Sequence, residues 1–274
     1  MARMGSSSLA FPDFRGATRR LVMMNLAAYF ALALAQLASG DIFQWLFGNG
    51  VFLPQVFSIG WLWQPLTYSL MHHPSDILGT ALELLSLWFL AGFLEAANSD
   101  QWVTGLYWVS VLGTALAAVA ISIVAAQFHI KADVVVLSGC FGGIFGLLVA
   151  IGYLYGDVQF ILFPLPIGIK AKYLAVIYGL ITIAMLFGQQ WVYAVATLGG
   201  ALAGLFYIRV APRRGLNFAV SERWYGLRNQ YYRWKRRNAA KKFEVYMRSQ
   251  GRTVHFDGKG RKIEDDPDDK KRWN

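Results

Sequence analysis

The sequence predicts an all-α integral membrane protein with six transmembrane helices, an aromatic first loop at the membrane interface and a basic cytoplasmic tail. Three observations predict it. Of 274 residues, 56% are hydrophobic and only 15% are charged, where soluble domains carry about 25% charged residues. Mean hydropathy is +0.39. Six apolar runs also approach the roughly 20 residues that cross a hydrocarbon core. They are Leu21–Ser39, Ile77–Ala97, Trp102–Ala126, Gly142–Tyr155, Tyr173–Phe187 and Trp191–Arg209.

Taken in order, residues 1–20 form an N-terminal segment in which Arg15, Arg19 and Arg20 precede the first run. That pattern imitates a signal peptide, and the small residues of Ala35–Ser39 would suit cleavage. The run is longer than the 7–15 residues of a signal h-region, which favours a retained span. Residues 42–66 are aromatic but broken by Gly48, Gly50, Pro54, Gly60 and Pro65. That punctuation breaks a spanning helix and suits a segment lying in the outer interface; a seventh span or a soluble lid is the alternative. The fourth and fifth runs are the shortest. Gly142 at the start of the fourth suits a helix that begins inside the protein, where irregular backbone is tolerated.

Charge sets the expected topology. Arg3, Arg15, Arg19 and Arg20 flank the first run, Lys170 and Lys172 precede the fifth, and Arg209, Arg213 and Arg214 follow the sixth. Residues 40–76 contain no Lys or Arg, and residues 127–133 contain only Lys131. Both termini are therefore expected in the cytoplasm, with a membrane domain at 21–212 and a tail at 213–274.

The net charge of +10 does not signal nucleic acid. Residues 211–274 hold 18 Lys or Arg against 8 Asp or Glu, while residues 1–210 hold 8 of each. The whole excess sits in the tail, where no nucleic-acid module is recognisable. There Ser221 could cap a helix, and Trp224, Leu227, Tyr231 and Trp234 recur at helical spacing among basic residues. Such a helix either lies on anionic membrane lipid or is simply a solvated basic helix. Residues 263–274 have the composition of a disordered end. The single cysteine, Cys140, excludes an intrachain disulfide.

Four stretches bear on function. They are WQPLTYSLMHHPSDILGTALELLSLWFLAGFLE at 63–95, GCFGGIFGLLVA at 139–150, FPLPIGIKAKYLAVIYGL at 163–180 and TLGGALAG at 197–204. In this order and spacing they resemble the rhomboid family of intramembrane serine proteases over about residues 20–212. Gly139, Gly142 and Gly146 resemble the glycines of the family's G-x-S-G-x-x-F-G motif, and Gly200 and Gly204 those of its H-x-x-G-x-x-x-G motif. Gly142 and Gly146, like Gly200 and Gly204, are four apart on one face, and such glycines let two membrane helices approach closely. The resemblance implies a six-helix rhomboid core.

The same resemblance places Phe141 at the serine nucleophile and Thr197 at the histidine base. A phenyl ring cannot attack a carbonyl, and a threonine hydroxyl is a poor base near neutral pH. The family's oxyanion-stabilising His and Asn of the second helix fall on Gly79 and Glu83, with a two-residue insertion near Pro74–Asp76. An ionised Glu83 would repel an oxyanion. The Arg of the family's Trp-Arg motif is Gln64, and its closing Glu is Glu95.

The expectation is an inactive, rhomboid-like protein that binds transmembrane client helices and membrane lipids without cleaving them. The alternative is an active protease with a displaced nucleophile such as Ser138 paired with His72. A transporter or channel ranks last, since Glu83 and Glu95 are its only acidic candidates and no inverted repeat is visible. No cofactor is expected. No metal site is expected either, because His72 and His73 have only Asp76 nearby in sequence, and His129 and His255 are isolated. Glu83 stands out as a carboxyl inside a span; it is either functional or neutral and hydrogen-bonded to Thr80, Ser86 or Thr197.

Overall fold

A computed structural model describes residues 12–57, 59–130, 134–162, 167–188, 191–211 and 216–251. Arg3, Lys131, Arg213, Arg214, His255, residues 163–166 and residues 263–274 lie outside the described residues. The chain divides into two compact units, Met1–Leu216 and Asn217–Asn274.

Each of the six apolar runs is helical. α1 spans Gly16–Ala38, α4 Ile77–Glu95, α5 Asp100–Gln127, α6 Phe141–Leu154, α7 Ala171–Met185 and α8 Trp191–Val210. Four of them, α1, α4, α5 and α8, are long and apolar enough to cross a membrane. At 14 and 15 residues, α6 and α7 are shorter apolar helices, reaching about 21–23 Å.

Between α1 and α4 the glycines and prolines break the chain into short pieces. α2 covers Gly40–Gly50 and α3 Gln64–Thr67, with single 3₁₀ turns at Pro54–Val56, Ile59–Trp61 and Tyr68–Leu70. Trp45, Val56, Leu62 and Trp63 are exposed. Phe52 is fully buried and exchanges both backbone hydrogen bonds with Leu137, tying this loop to the segment before α6.

The all-α expectation fails at one point. β1 (Gln159–Leu162) and β2 (Ile167–Lys170) pair antiparallel between α6 and α7, with Phe160 opposite Ile169. Phe160 and the Ile residues of both segments favour a pleated strand. Phe160 is held edge-on by Phe89 and Phe93 of α4, at ring distances of 5.3 and 5.1 Å.

The core of the bundle is the contact among α5, α6 and α8. Ser110 and Thr114 of α5 sit where any side chain at the α6 and α8 glycines would go. A Cβ on Gly146 would collide with Ser110 Oγ, and one on Gly200 with Thr114 Oγ1. The Gly200 position also lies 3.0 Å from the Ser110 carbonyl and 3.4 Å from that of Gly142, and the Gly204 position lies 3.2 Å from Gly146 Cα. Both hydroxyls are satisfied within α5, donating to Leu106 O and Ser110 O at 2.9 and 3.0 Å. The same pattern extends outward, with Gly113 against Ala203 and Gly199 against Ala117.

Glu95 closes α4 by reaching across to the start of α1. It accepts from Ala17 N at 3.1 Å, Thr18 N at 2.9 Å and Thr18 Oγ1 at 2.6 Å. These amides have no partner within their own helix, and a carboxylate there complements the helix dipole.

In the second unit α9 runs from Leu216 to Ser249. Ser221 therefore lies inside the helix, past its first turn, and does not cap it. Tyr231 and Trp234 are exposed, with their rings 6.1 Å apart.

Replacing Gly200 by Ala should destabilise the detergent-solubilised protein by about 1–3 kcal/mol, the usual cost of overpacking, because one obstructing atom is backbone. Gly226→Ala, which has open space around it, should leave the melting temperature of the bundle unchanged.

Candidate functional site

α6 begins at a turn that only glycine fits well. Gly139 has φ +81° and its N–H is shared between Tyr68 O at 3.0 Å and Met71 O at 2.9 Å. An L-residue there costs roughly 1–2 kcal/mol, and its Cβ would lie 2.8 Å from Glu83 Oε2. The turn delivers Cys140, fully buried, to the N-terminus of α6. Glu83, in the second turn of α4, meets it there. Its Oε2 accepts from the Cys140 backbone N–H at 3.0 Å and from the Cys140 thiol at 3.4 Å. Neither Thr80, Ser86 nor Thr197 is the partner: Ser86 donates to Leu82 O and Thr197 to Ala194 O.

His72 completes the cluster from the turn before α4. Its side chain is 2% exposed and its Nδ1 lies 3.7 Å from Glu83 Oε2. Its Nε2 lies 3.0 Å from Asn25 Oδ1. The Asn25 amide is oriented by its own Nδ2, which donates to Leu21 O at 2.8 Å. Oδ1 therefore accepts, Nε2 carries the ring proton, and the Nδ1 lone pair faces Glu83. Burial pushes the His72 pKa down from 6.5 to about 4, so the ring is neutral at physiological pH. The contact with Glu83 is then not an ion pair in spite of its length.

The positions expected from the sequence are placed as follows. Phe141 is the first residue of α6, half-buried, its ring stacked on Phe145 at 6.3 Å. Thr197 is buried on α8 one turn before Gly200, its hydroxyl turned to its own helix. Gly79 lies in the first turn of α4, its N–H donating to Asp76 Oδ1 at 3.0 Å. Glu83 alone of the two oxyanion positions reaches α6. Gln64 bonds weakly to Asn49 O at 3.4 Å. Ser138 is exposed, and the His72 nitrogens point to Asn25 and Glu83 instead. His73 is exposed, bonded to Ser75 and wedged against Phe43 and Phe47.

Sequence reasoning missed Asn25 and the meeting of His72 with Glu83 and Cys140. A fully buried Asn inside an apolar span was a usable signal, since such residues almost always have a partner.

The comparisons with known proteins are sparse. Residues 18–222 match the model of a family described as "Eukaryotic integral membrane protein (DUF1751)". No curated protein and no solved structure matches the chain.

Glu83→Ala should cost about 1–3 kcal/mol, because it leaves the Cys140 N–H buried without an acceptor. Glu83→Gln retains an acceptor and should recover most of that loss in a thermal melt. Equal losses in the two variants would show that the hydrogen bond is not what Glu83 contributes.

Proposed function

The chain belongs to this family of eukaryotic integral membrane proteins, and on that footing we propose that it is a rhomboid-like protein that binds transmembrane client helices without cleaving them. In this reading α1, α4, α5, α6, α7 and α8 are six crossings with both termini in the cytoplasm, as the Lys and Arg distribution favours. The short α6 starts inside the protein, as its glycine turn and buried N-terminus suit.

One observation carries the reading. Where the resembling protease would begin a helix with its nucleophile and leave backbone N–H donors for an oxyanion, α6 begins with Phe141 and the N–H of Cys140 just before it is taken by Glu83. A tetrahedral intermediate needs donors aimed at it and no charge of its own sign beside it. Phe141 offers no nucleophile at its position, and the Cys140 amide is not a free donor. What remains is the close-packed α5–α6–α8 scaffold.

Client binding finds its support at α7. Of its residues only Ala171 and Thr182 are buried, while Tyr173, Val176, Ile177, Leu180 and Ile181 are exposed along it. A helix with so few partners of its own leaves room for another to pack beside it. Binding there would draw on van der Waals packing rather than on a hydrophobic gain, since lipid is already apolar. Exposed Tyr231 and Trp234 among basic residues of α9 suit contact with anionic lipid.

Purified protein should take no label from a fluorophosphonate probe while an active rhomboid alongside is labelled. Phe141→Ser alone should remain unlabelled, because Thr197 supplies no base. In vesicles holding single-span test helices, photo-crosslinkers at Ile177 or Ile181 should capture those helices uncut. Cleavage of any test helix by the unmodified chain would overturn the proposal.

A further inference from the structure

We propose that His72, Glu83 and Cys140 form a binding site for one zinc ion, tying the turn before α4, α4 itself and the start of α6 together. One ligand atom from each residue lies within 4.8 Å of the other two. Tetrahedral zinc with bonds of about 2.0–2.3 Å holds its ligand atoms roughly 3.4–3.6 Å apart. The Cys140 Sγ to Glu83 Oε2 distance is 3.4 Å and the His72 Nδ1 to Glu83 Oε2 distance is 3.7 Å. The first of these edges matches, and the second is only slightly long.

The second observation is independent of those distances. Zinc-binding histidines present one ring nitrogen to the metal and donate the other N–H to a fixed oxygen behind them. Asn25 is that oxygen here, itself locked by Leu21 O. The result is a buried imidazole whose unprotonated Nδ1 faces another acceptor. Two lone pairs directed at each other in a mostly enclosed site favour a cation or a proton between them.

The donor set selects the ion. One imidazole nitrogen, one carboxylate oxygen and one thiolate sulfur suit zinc, and hard oxygen-seeking cations such as Mg²⁺ or Ca²⁺ do not take sulfur. Charge also balances. Zn²⁺ with Cys140 as thiolate, Glu83 as carboxylate and neutral His72 sums to zero, which suits burial within a membrane domain. Binding forms the Zn–S bond and releases the thiol proton to solvent. Glu83 is 29% exposed on its side chain, leaving an approach for the ion and a fourth position for water.

The test uses the full, untagged chain in nanodiscs, stripped with EDTA and titrated with Co²⁺ and then Zn²⁺. The expected result is one Co²⁺ per chain with a near-ultraviolet thiolate-to-cobalt charge-transfer band, bleached by one equivalent of Zn²⁺. Cys140 is the only cysteine, so the band can come from nowhere else. Asn25→Ala should weaken Zn²⁺ binding about 10–100-fold, the usual effect of removing such a partner, and His73→Ala should leave it unchanged. Zn²⁺ should raise the melting temperature of the unmodified protein and not that of Cys140→Ser. A folded, unmodified chain that gives no charge-transfer band overturns the proposal, and so does a Zn²⁺-dependent rise in melting temperature that survives Cys140→Ser. If Cys140→Ser does not fold, the band of the unmodified protein decides alone.

Discussion

The bundle rests on the seating of two hydroxyl side chains of α5, Ser110 and Thr114, against the bare backbone of α6 and α8. Hydrocarbon gives membrane helices no hydrophobic reason to associate, so close van der Waals contact has to do it. Glycine removes the side chains that would hold the helices apart, and the hydroxyls fill the space without leaving a donor open. α1, α4 and α7 each pack against one or more of these three helices. The end of the seam, where Gly142 meets Gly200, is where α6 starts and where Phe141 and Thr197 stand.

At that end helix packing and side-chain chemistry are independent matters. Close helix approach is a matter of volume and survives any change of reactive side chain. The start of α6, by contrast, is committed to internal bonding. The amide of Cys140, just before it, is bonded to a carboxyl from α4, and that carboxyl lies beside a buried thiol and an imidazole. The cluster is polar, mostly enclosed and held by oriented hydrogen bonds from three separate parts of the chain. Such arrangements inside membrane domains are costly unless every member is satisfied.

Much of the fold was legible in the sequence because its causes are local. Apolar run length located the helices to within a few residues, and the four-residue glycine spacing marked the faces of α6 and α8. The contribution of α5 was not legible, since Ser110 and Thr114 are ordinary small polar residues whose meaning depends on what they pack against. The candidate site was half legible. Glu83 was conspicuous as a carboxyl in an apolar run, but its partner was not, because Cys140 lies 57 residues away and Asn25 lies 47 from His72. No periodicity links such positions; only the packing does. The pairing of β1 with β2 escaped because four-residue strands carry too little pattern.

The clasp of Glu95 on α1 has a consequence for the order of assembly. The amides of Ala17 and Thr18 find their acceptor only when residue 95 exists, 78 and 77 residues later. While the chain is being synthesised, α1 therefore enters the bilayer with its leading donors facing water or headgroups. It cannot take up its final seat until α4 has been completed and its far end has come back to the same side. α1 is thus secured only together with α4, and the two settle as a pair.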